Sequence, residues 1–157
     1  MNKTFDNCTL LDTKTWFEKA RPNPTLQDIQ AQLGVHCEEV SEMLNALGSD
    51  DSRLDTLLYT AKASMQDLAN YLKGASAHPR IQVLNPDEML DGLCDQIVTA
   101  TGVAHTLGYN IVAAMTEVNR SNFSKFDEQG NPIYNENKKV MKGPNYSAPD
   151  LTPYLPK

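Results

Sequence analysis

Apolar residues recur in this chain at three- and four-residue steps over three long stretches, each closed by a helix-stopping residue, so it is built to fold as helices packed on helices. In the first stretch Leu26, Ile29, Leu33, Cys37, Val40, Met43 or Leu44, and Leu47 follow a capping Thr25 and end at Gly48. The second starts at Asp51-Ser52, carries Leu54, Leu57, Leu58, Ala61, Met65, Leu68 and Leu72, and stops at Lys73-Gly74. The third opens with Asn85 as cap and Pro86 at the first helical position, and its expected buried side is Leu90, Leu93, Ile97, Val98, Ala104 and Leu107, up to Gly108. A shorter amphipathic segment, residues 11 to 20, ends at Arg-Pro-Asn-Pro, and Asn110 can cap a further helix through Ile111, Val112, Met115 and Val118. Trp16, Tyr59 and Tyr71 read as packing residues.

Past Arg120 the character changes. Ser121 to Lys157 is rich in Asn, Pro, Gly and Lys, and Glu128-Gln129-Gly130-Asn131-Pro132 is a strong turn signal. A tail of this length without its own periodicity is expected to be an ordered arm that covers a site or a neighbouring subunit. The expectation is one domain over residues 1–157: an all-α, four-helix-bundle-type core at about 11–120 and a long irregular C-terminal arm over 121–157.

The charge of -6 and pI near 5.0 exclude a general nucleic-acid binder, which needs clustered Lys and Arg. The basic residues that do cluster, Lys125, Lys138, Lys139 and Lys142, fall in the last third, where they could meet phosphate. Cys8, Cys37 and Cys94 fit no metal-ligand spacing and read as reduced, buried residues of a cytoplasmic protein. No run approaches the ~20 apolar residues of a membrane span, and the polar Met1 to Asp6 start has no signal-peptide core. His36, His78 and His105 have no zinc or nucleophile-base spacing, and no nucleophile-elbow, phosphate-loop or dinucleotide glycine motif occurs.

Two acidic clusters remain: Glu38-Glu39-Val40-Ser41-Glu42, and Glu88-Met89-Leu90-Asp91 on another helix. Carboxylates at i and i+3 or i+4 leave one side of a helix, so each cluster is a small wall of oxygen ligands. At ~100° per residue Glu38 and Glu42 fall nearly opposite the apolar stripe and Glu39 on its flank, so the wall is expected to face away from the helix's own packing contact. Unit charges ~4 Å apart repel by about 4 kcal/mol at an effective dielectric near 20, and hard divalent cations relieve that repulsion. Magnesium commonly shares its shell with substrate phosphates, which points to a phosphorylated substrate.

The order Glu-Glu-x-x-Glu at 38–42 then Glu-x-x-Asp at 88–91 resembles the all-α nucleoside triphosphate pyrophosphohydrolases, the MazG-like and phosphoribosyl-ATP pyrophosphohydrolase-like group. Asp91-Gly92-Leu93-Cys94-Asp95 resembles the same group, as do Val118 to Lys125 and Lys139 to Tyr146, and the matching pieces span residues 26 to 151. The resemblance implies cleavage of a deoxynucleoside triphosphate to monophosphate and pyrophosphate, with dGTP placed first because a compact form with this tail resembles phage enzymes that adjust the host nucleotide pool. It also implies that Glu39, Glu42, Glu88 and Asp91 hold two or more Mg2+ ions, or Mn2+ as a substitute. Glu38 then orients or deprotonates the attacking water, Asp95 supports the ligands, and Asn122, Lys125 and Lys142 contact the triphosphate or sugar from the arm. A homodimer or homotetramer is the implied assembly.

Plainer readings stand beside these. Glu88 three residues after Asn85 fits a capping box, and Asp87 with Glu88 suits a helix N-terminus. Taken alone, Glu38, Glu39 and Glu42 could form a solvated face. Two other functions stay open: the same architecture acting on dUTP or dCTP, and a non-catalytic helical module that senses nucleotide or docks a protein.

Overall fold

The computed structural model describes residues 9–74, 80–136 and 139–156. Cys8, His78 and Lys138 lie outside the described residues. The elements in order are α1 (Thr9–Ala20), α2 (Leu26–Asn45), α3 (Ser52–Lys73), α4 (Pro86–Thr106), α5 (Ile111–Phe123) and a single 3-10 turn at Thr152–Tyr154. Among the described residues the sole β-pairing is an isolated antiparallel bridge between Tyr134 and Val140, so the protein is all-α. The chain divides into two compact units: Asn23–Leu84 forms one, and the segments up to Pro22 and from Asn85 onward together form the other.

The caps read from sequence set the helix boundaries. Thr25 Oγ1 accepts from the Asp28 backbone N–H while the Asp28 carboxylate accepts from the Thr25 N–H, a reciprocal capping box. Asp51 accepts from the Leu54 N–H, and Asn110 from the Ala113 N–H. Asn85 accepts from the backbone of Asp87 and Glu88, so this cap engages the Glu88 N–H. At the end of α4, Gly108 takes φ +75, which allows the N–H groups of Gly108 and Tyr109 to turn back onto the carbonyls of His105 and Ala104. The chain bends by 118° between α4 and α5 across this turn.

The central unit is a hairpin of α2 on α3, and its packing face differs from the one expected. The buried residues of α2 are Gln30, Gly34 and Ser41, not the apolar stripe, of which Leu26, Ile29, Met43 and Leu47 are exposed. The reason is close approach. A Cβ on Gly34 would lie 3.0 Å from Leu72 Cβ and 3.1 Å from the Ala69 carbonyl oxygen, so the missing side chain lets the backbones draw together. Ser41 Oγ donates to the Lys62 carbonyl at 3.1 Å, and Gln30 Nε2 donates to the Leu72 carbonyl at 3.3 Å. The contact face is therefore rotated roughly a quarter turn from the hydrophobic stripe. Tyr59 and Tyr71, read as packing residues, are exposed on α3.

The terminal unit has its core where α1 crosses α5. Trp16 stacks on Phe126 with ring centroids 5.8 Å apart and planes 9° from parallel, Phe123 meets Phe126 edge-on, and Phe17 meets Trp16 edge-on. The indole N–H donates to the Asn122 carbonyl at 2.9 Å, so Trp16 is a packing residue as expected. Asn119, 4 % exposed, accepts from Thr13 Oγ1 and donates to the Thr9 carbonyl, which leaves its buried amide satisfied. On α4 the expected buried side is corrected: Ala104 is buried, but Leu90, Leu93, Ile97, Val98 and Leu107 are exposed. Among the described elements of its unit α4 packs on α5, beside the Gly108 turn, where Ala104 is buried while Leu107 stays exposed. Cys94 is exposed, against the expectation of burial. Among the described residues no single helix is long and apolar enough to cross a membrane.

The arm is ordered and runs antiparallel along α5. Going outward, the Gly143 N–H donates to the Lys125 carbonyl, Ser147 exchanges bonds with Ser124, Arg120 donates to the Ala148 carbonyl, and the Asp150 N–H donates to Glu117. Finally the Asn110 N–H, at the other end of α5, donates to the Tyr154 carbonyl. Glu117 is the busiest joint, because Arg120 also grips it with two N–H donors at 2.7 Å. The Arg120 hydrogen bond, helped by the Asp150 N–H, holds the Glu117 carboxyl down to about 2 from the usual 4.5. A depressed carboxyl contributes stability that is full above its unfolded value and is lost as pH falls through the folded one. Acid between 4.5 and about 2 is therefore expected to loosen the arm from α5. The check is the urea midpoint of wild type against Glu117→Gln, whose difference should shrink steadily across that pH window.

Candidate functional site

The acidic residues singled out from sequence occur in both units. On α2, Glu38 is half-buried while Glu39 and Glu42 are exposed. On α4, Glu88, Asp91 and Asp95 are all exposed, at the helix's N-terminal half. The spacing places Glu39 and Glu42, and likewise Glu88 and Asp91, one turn apart on their helices. Within each unit, among the described residues, no three acidic, histidine or cysteine side chains converge to hold an ion. The donor chemistry nonetheless suits a hard cation: every candidate ligand is a carboxylate, and the two pairs are accessible to solvent.

Glu38 departs from its expected setting. It does not stand away from the α2 packing face but on its edge, where Lys73 Nζ of α3 binds Oε1 at 2.5 Å. Both side chains are about one-third exposed, at 28 % for Lys73 and 32 % for Glu38. The rotated contact face explains the difference, since α3 packs over Gly34, one turn before Glu38. Sequence reasoning missed Lys73. The available signal was a glycine at i and a glutamate at i+4 on one helix, with a lysine ending the helix that follows.

The three arm-side candidates lie near the end of α5, joined by a backbone contact. Lys125 Nζ donates to Asn122 Oδ1 at 2.8 Å and lies 5.7 Å from the Trp16 ring centroid. Lys142 Nζ lies 4.5 Å from the Tyr146 ring centroid. Gly143 joins the two parts: its N–H donates to the Lys125 carbonyl at 3.0 Å, and an added Cβ would lie 2.7 Å from that oxygen and 2.9 Å from the Phe126 oxygen. Residue 142 is thereby seated beside the last turn of α5, and two cations, an amide and an aromatic ring share one neighbourhood. Such a group can meet an anion through Lys125 and Lys142 and a polar edge through Asn122.

Because the atoms that a Gly143 side chain would strike are backbone, Gly143→Ala has to push the arm off α5. The expected cost is about 1–3 kcal/mol, read as a lower thermal midpoint; a variant as stable as wild type would contradict this seating.

Comparison of the chain with protein-family models, with curated proteins and with solved structures finds no match.

Proposed function

We propose that the protein is a magnesium-dependent nucleoside triphosphate pyrophosphohydrolase, which cleaves a deoxynucleoside triphosphate to monophosphate and pyrophosphate with dGTP as the first candidate. The observation that carries the reading is the docking of Gly143 on the carbonyls of Lys125 and Phe126, because it supplies a cationic neighbourhood built from chain segments that the sequence only lines up. The exposed carboxylate pairs support it by their chemistry: Glu39 and Glu42 on α2, and Glu88 and Asp91 on α4, are the residues that would hold magnesium, and Asp95, one turn on from Asp91, would support its helix's pair. When bound, magnesium supplies charge neutralisation and polarisation of the phosphoryl oxygens. Glu38 accepts the hydrogen bond of the attacking water and takes its proton, while Lys125 and Lys142 balance phosphate charge and Asn122 orients the sugar or phosphate. Phosphoryl transfer asks for little beyond this positioning and neutralisation.

In this reading the protein works as a homodimer or homotetramer, which the exposed Leu90, Ile97 and Val98 of α4 support. The test is product analysis with magnesium and each common dNTP and NTP. Monophosphate plus pyrophosphate from one nucleotide upholds the proposal, and dUTP or dCTP as the sole substrate would change the base and leave the reaction. No turnover of any of them in magnesium or manganese, with nucleotide still bound, would replace the enzyme by a nucleotide-binding module.

A further inference from the structure

We infer that Tyr146 is the platform on which the base of the nucleotide stacks, with the Lys142 ammonium that covers its ring passing to the phosphates, so that the site favours purine over pyrimidine triphosphates. This role rests on the function proposed above and supplies the base contact, which the tasks given to Lys125, Lys142 and Asn122 leave open.

Tyr146 is half-buried and sits on a turn that is fastened on both sides. Its own N–H donates to the Gly143 carbonyl at 3.1 Å, which closes the turn Gly143-Pro144-Asn145-Tyr146 with proline at the second position. Before the turn, the Gly143 N–H is bonded to the Lys125 carbonyl; after it, the Ser147 N–H donates to Ser124 Oγ at 2.9 Å. The backbone that carries the ring is thus already ordered, and a ligand that uses the ring has little left to order. Trp16, Phe17, Phe123 and Phe126 pair among themselves, and among the described residues no other ring pairs with Tyr146.

What meets the Tyr146 ring is a cation. Lys142 Nζ lies over it, 4.5 Å from the centroid, and Lys142 is exposed. A cation–π contact at an exposed site is weak, whereas an ammonium on a phosphate oxygen makes a charge-assisted bond, so a phosphate draws the lysine off the ring. The face it leaves was covered by a flexible side chain and becomes available to a flat ligand. A nucleotide joins a flat π-face to an anionic chain. Here a tyrosine and a lysine stand four residues apart on one turn, with Lys125 and Asn122 across the Gly143 contact. Stacking carries no hydrogen-bond code, so Tyr146 reads the area of the base, and a two-ring purine covers more of the phenol than a one-ring pyrimidine.

The experiment is calorimetric binding of dGTP, dUTP and inorganic tripolyphosphate, in EDTA so that no metal contributes, to wild type, Tyr146→Phe, Tyr146→Leu and Lys142→Gln. Tyr146→Leu is expected to bind dGTP on the order of tenfold more weakly, to lose less for dUTP, and to hold tripolyphosphate as wild type does. Tyr146→Phe should keep wild-type affinity for all three ligands, and Lys142→Gln should weaken all three. A second readout does not depend on the leucine variant folding. In wild type the Tyr146 ring-proton resonances, identified by their absence from Tyr146→Phe, should move upfield with dGTP and not with tripolyphosphate. Unchanged dGTP binding by Tyr146→Leu, an equal loss for dGTP and tripolyphosphate, wild-type binding by Lys142→Gln, ring resonances indifferent to the base, or no dGTP binding by wild type would overturn the inference. A loss for dUTP equal to that for dGTP would overturn the purine preference. Tyr146-dependent dGTP binding by a wild type that cleaves no nucleotide in magnesium would sink the enzyme reading and leave the stacking platform standing.

Discussion

Glu39→Gln is expected to lower turnover by on the order of 10²-fold or more while leaving the fold in place. Under the proposed function Glu39 is a magnesium ligand, and removing one carboxylate charge from such a clamp forfeits roughly 3 kcal/mol of transition-state stabilisation, each 1.36 kcal/mol being a factor of about ten in rate. Glu39 is exposed, and the amide matches the carboxylate in volume, so stability should move by no more than about 0.5 kcal/mol. The measurement is kcat with the preferred nucleotide, paired with a thermal melt. Full activity in a folded Glu39→Gln protein would remove Glu39 from the ligand set.

The other large effect is structural. Phe126→Ala should destabilise the terminal unit by about 3–5 kcal/mol, the usual cost of emptying a buried aromatic site. Phe126 is 4 % exposed and carries both the stacked contact to Trp16 and the edge contact to Phe123. Its carbonyl also faces Gly143, so the cavity would open directly beneath the point where the arm is seated. The protein has one tryptophan, and it stacks on Phe126, so fluorescence during urea unfolding reports on this unit. An unfolding midpoint within error of wild type would show that the α1–α5 crossing does not depend on this ring.

What the sequence made legible was local. Thr25, Asn85 and Asn110 cap the helices they were expected to cap, Asp51 caps the helix expected to start there, and Gly108 ends α4 with a positive φ, because capping chemistry is decided within four or five residues. The face by which α2 meets α3 was not legible. Periodicity finds the apolar stripe, but backbone approach over Gly34 and side-chain bonds from Gln30 and Ser41 turned the contact toward small and polar residues. The setting of Glu38 followed that rotation, and so its lysine partner was missed. For α4 the stripe was found and its covering was not, since a hydrophobic pattern states a need for burial without naming the surface that meets it. The course of the arm depends on backbone bonds to residues flanking α5, 18 to 44 positions earlier, such as Gly143 to Lys125 and Tyr154 to Asn110, and no local motif encodes such pairings.

The way the terminal unit is assembled has a consequence for how the chain acquires its structure. Its α1–α5 contacts join residues 106 to 110 positions apart, as in Thr13 with Asn119, Trp16 with Asn122 and Thr9 with Asn119, whereas the α2–α3 hairpin is contiguous in sequence. Contacts of long sequence separation form late, because loop closure must precede them. During synthesis the hairpin can close as soon as α3 is made, while α1 waits for α5 and then for the arm that follows it. Made before both elements it packs with, α1 is thus among the last to be secured, and in the interval its Trp16 and Phe17 are open to any passing apolar surface.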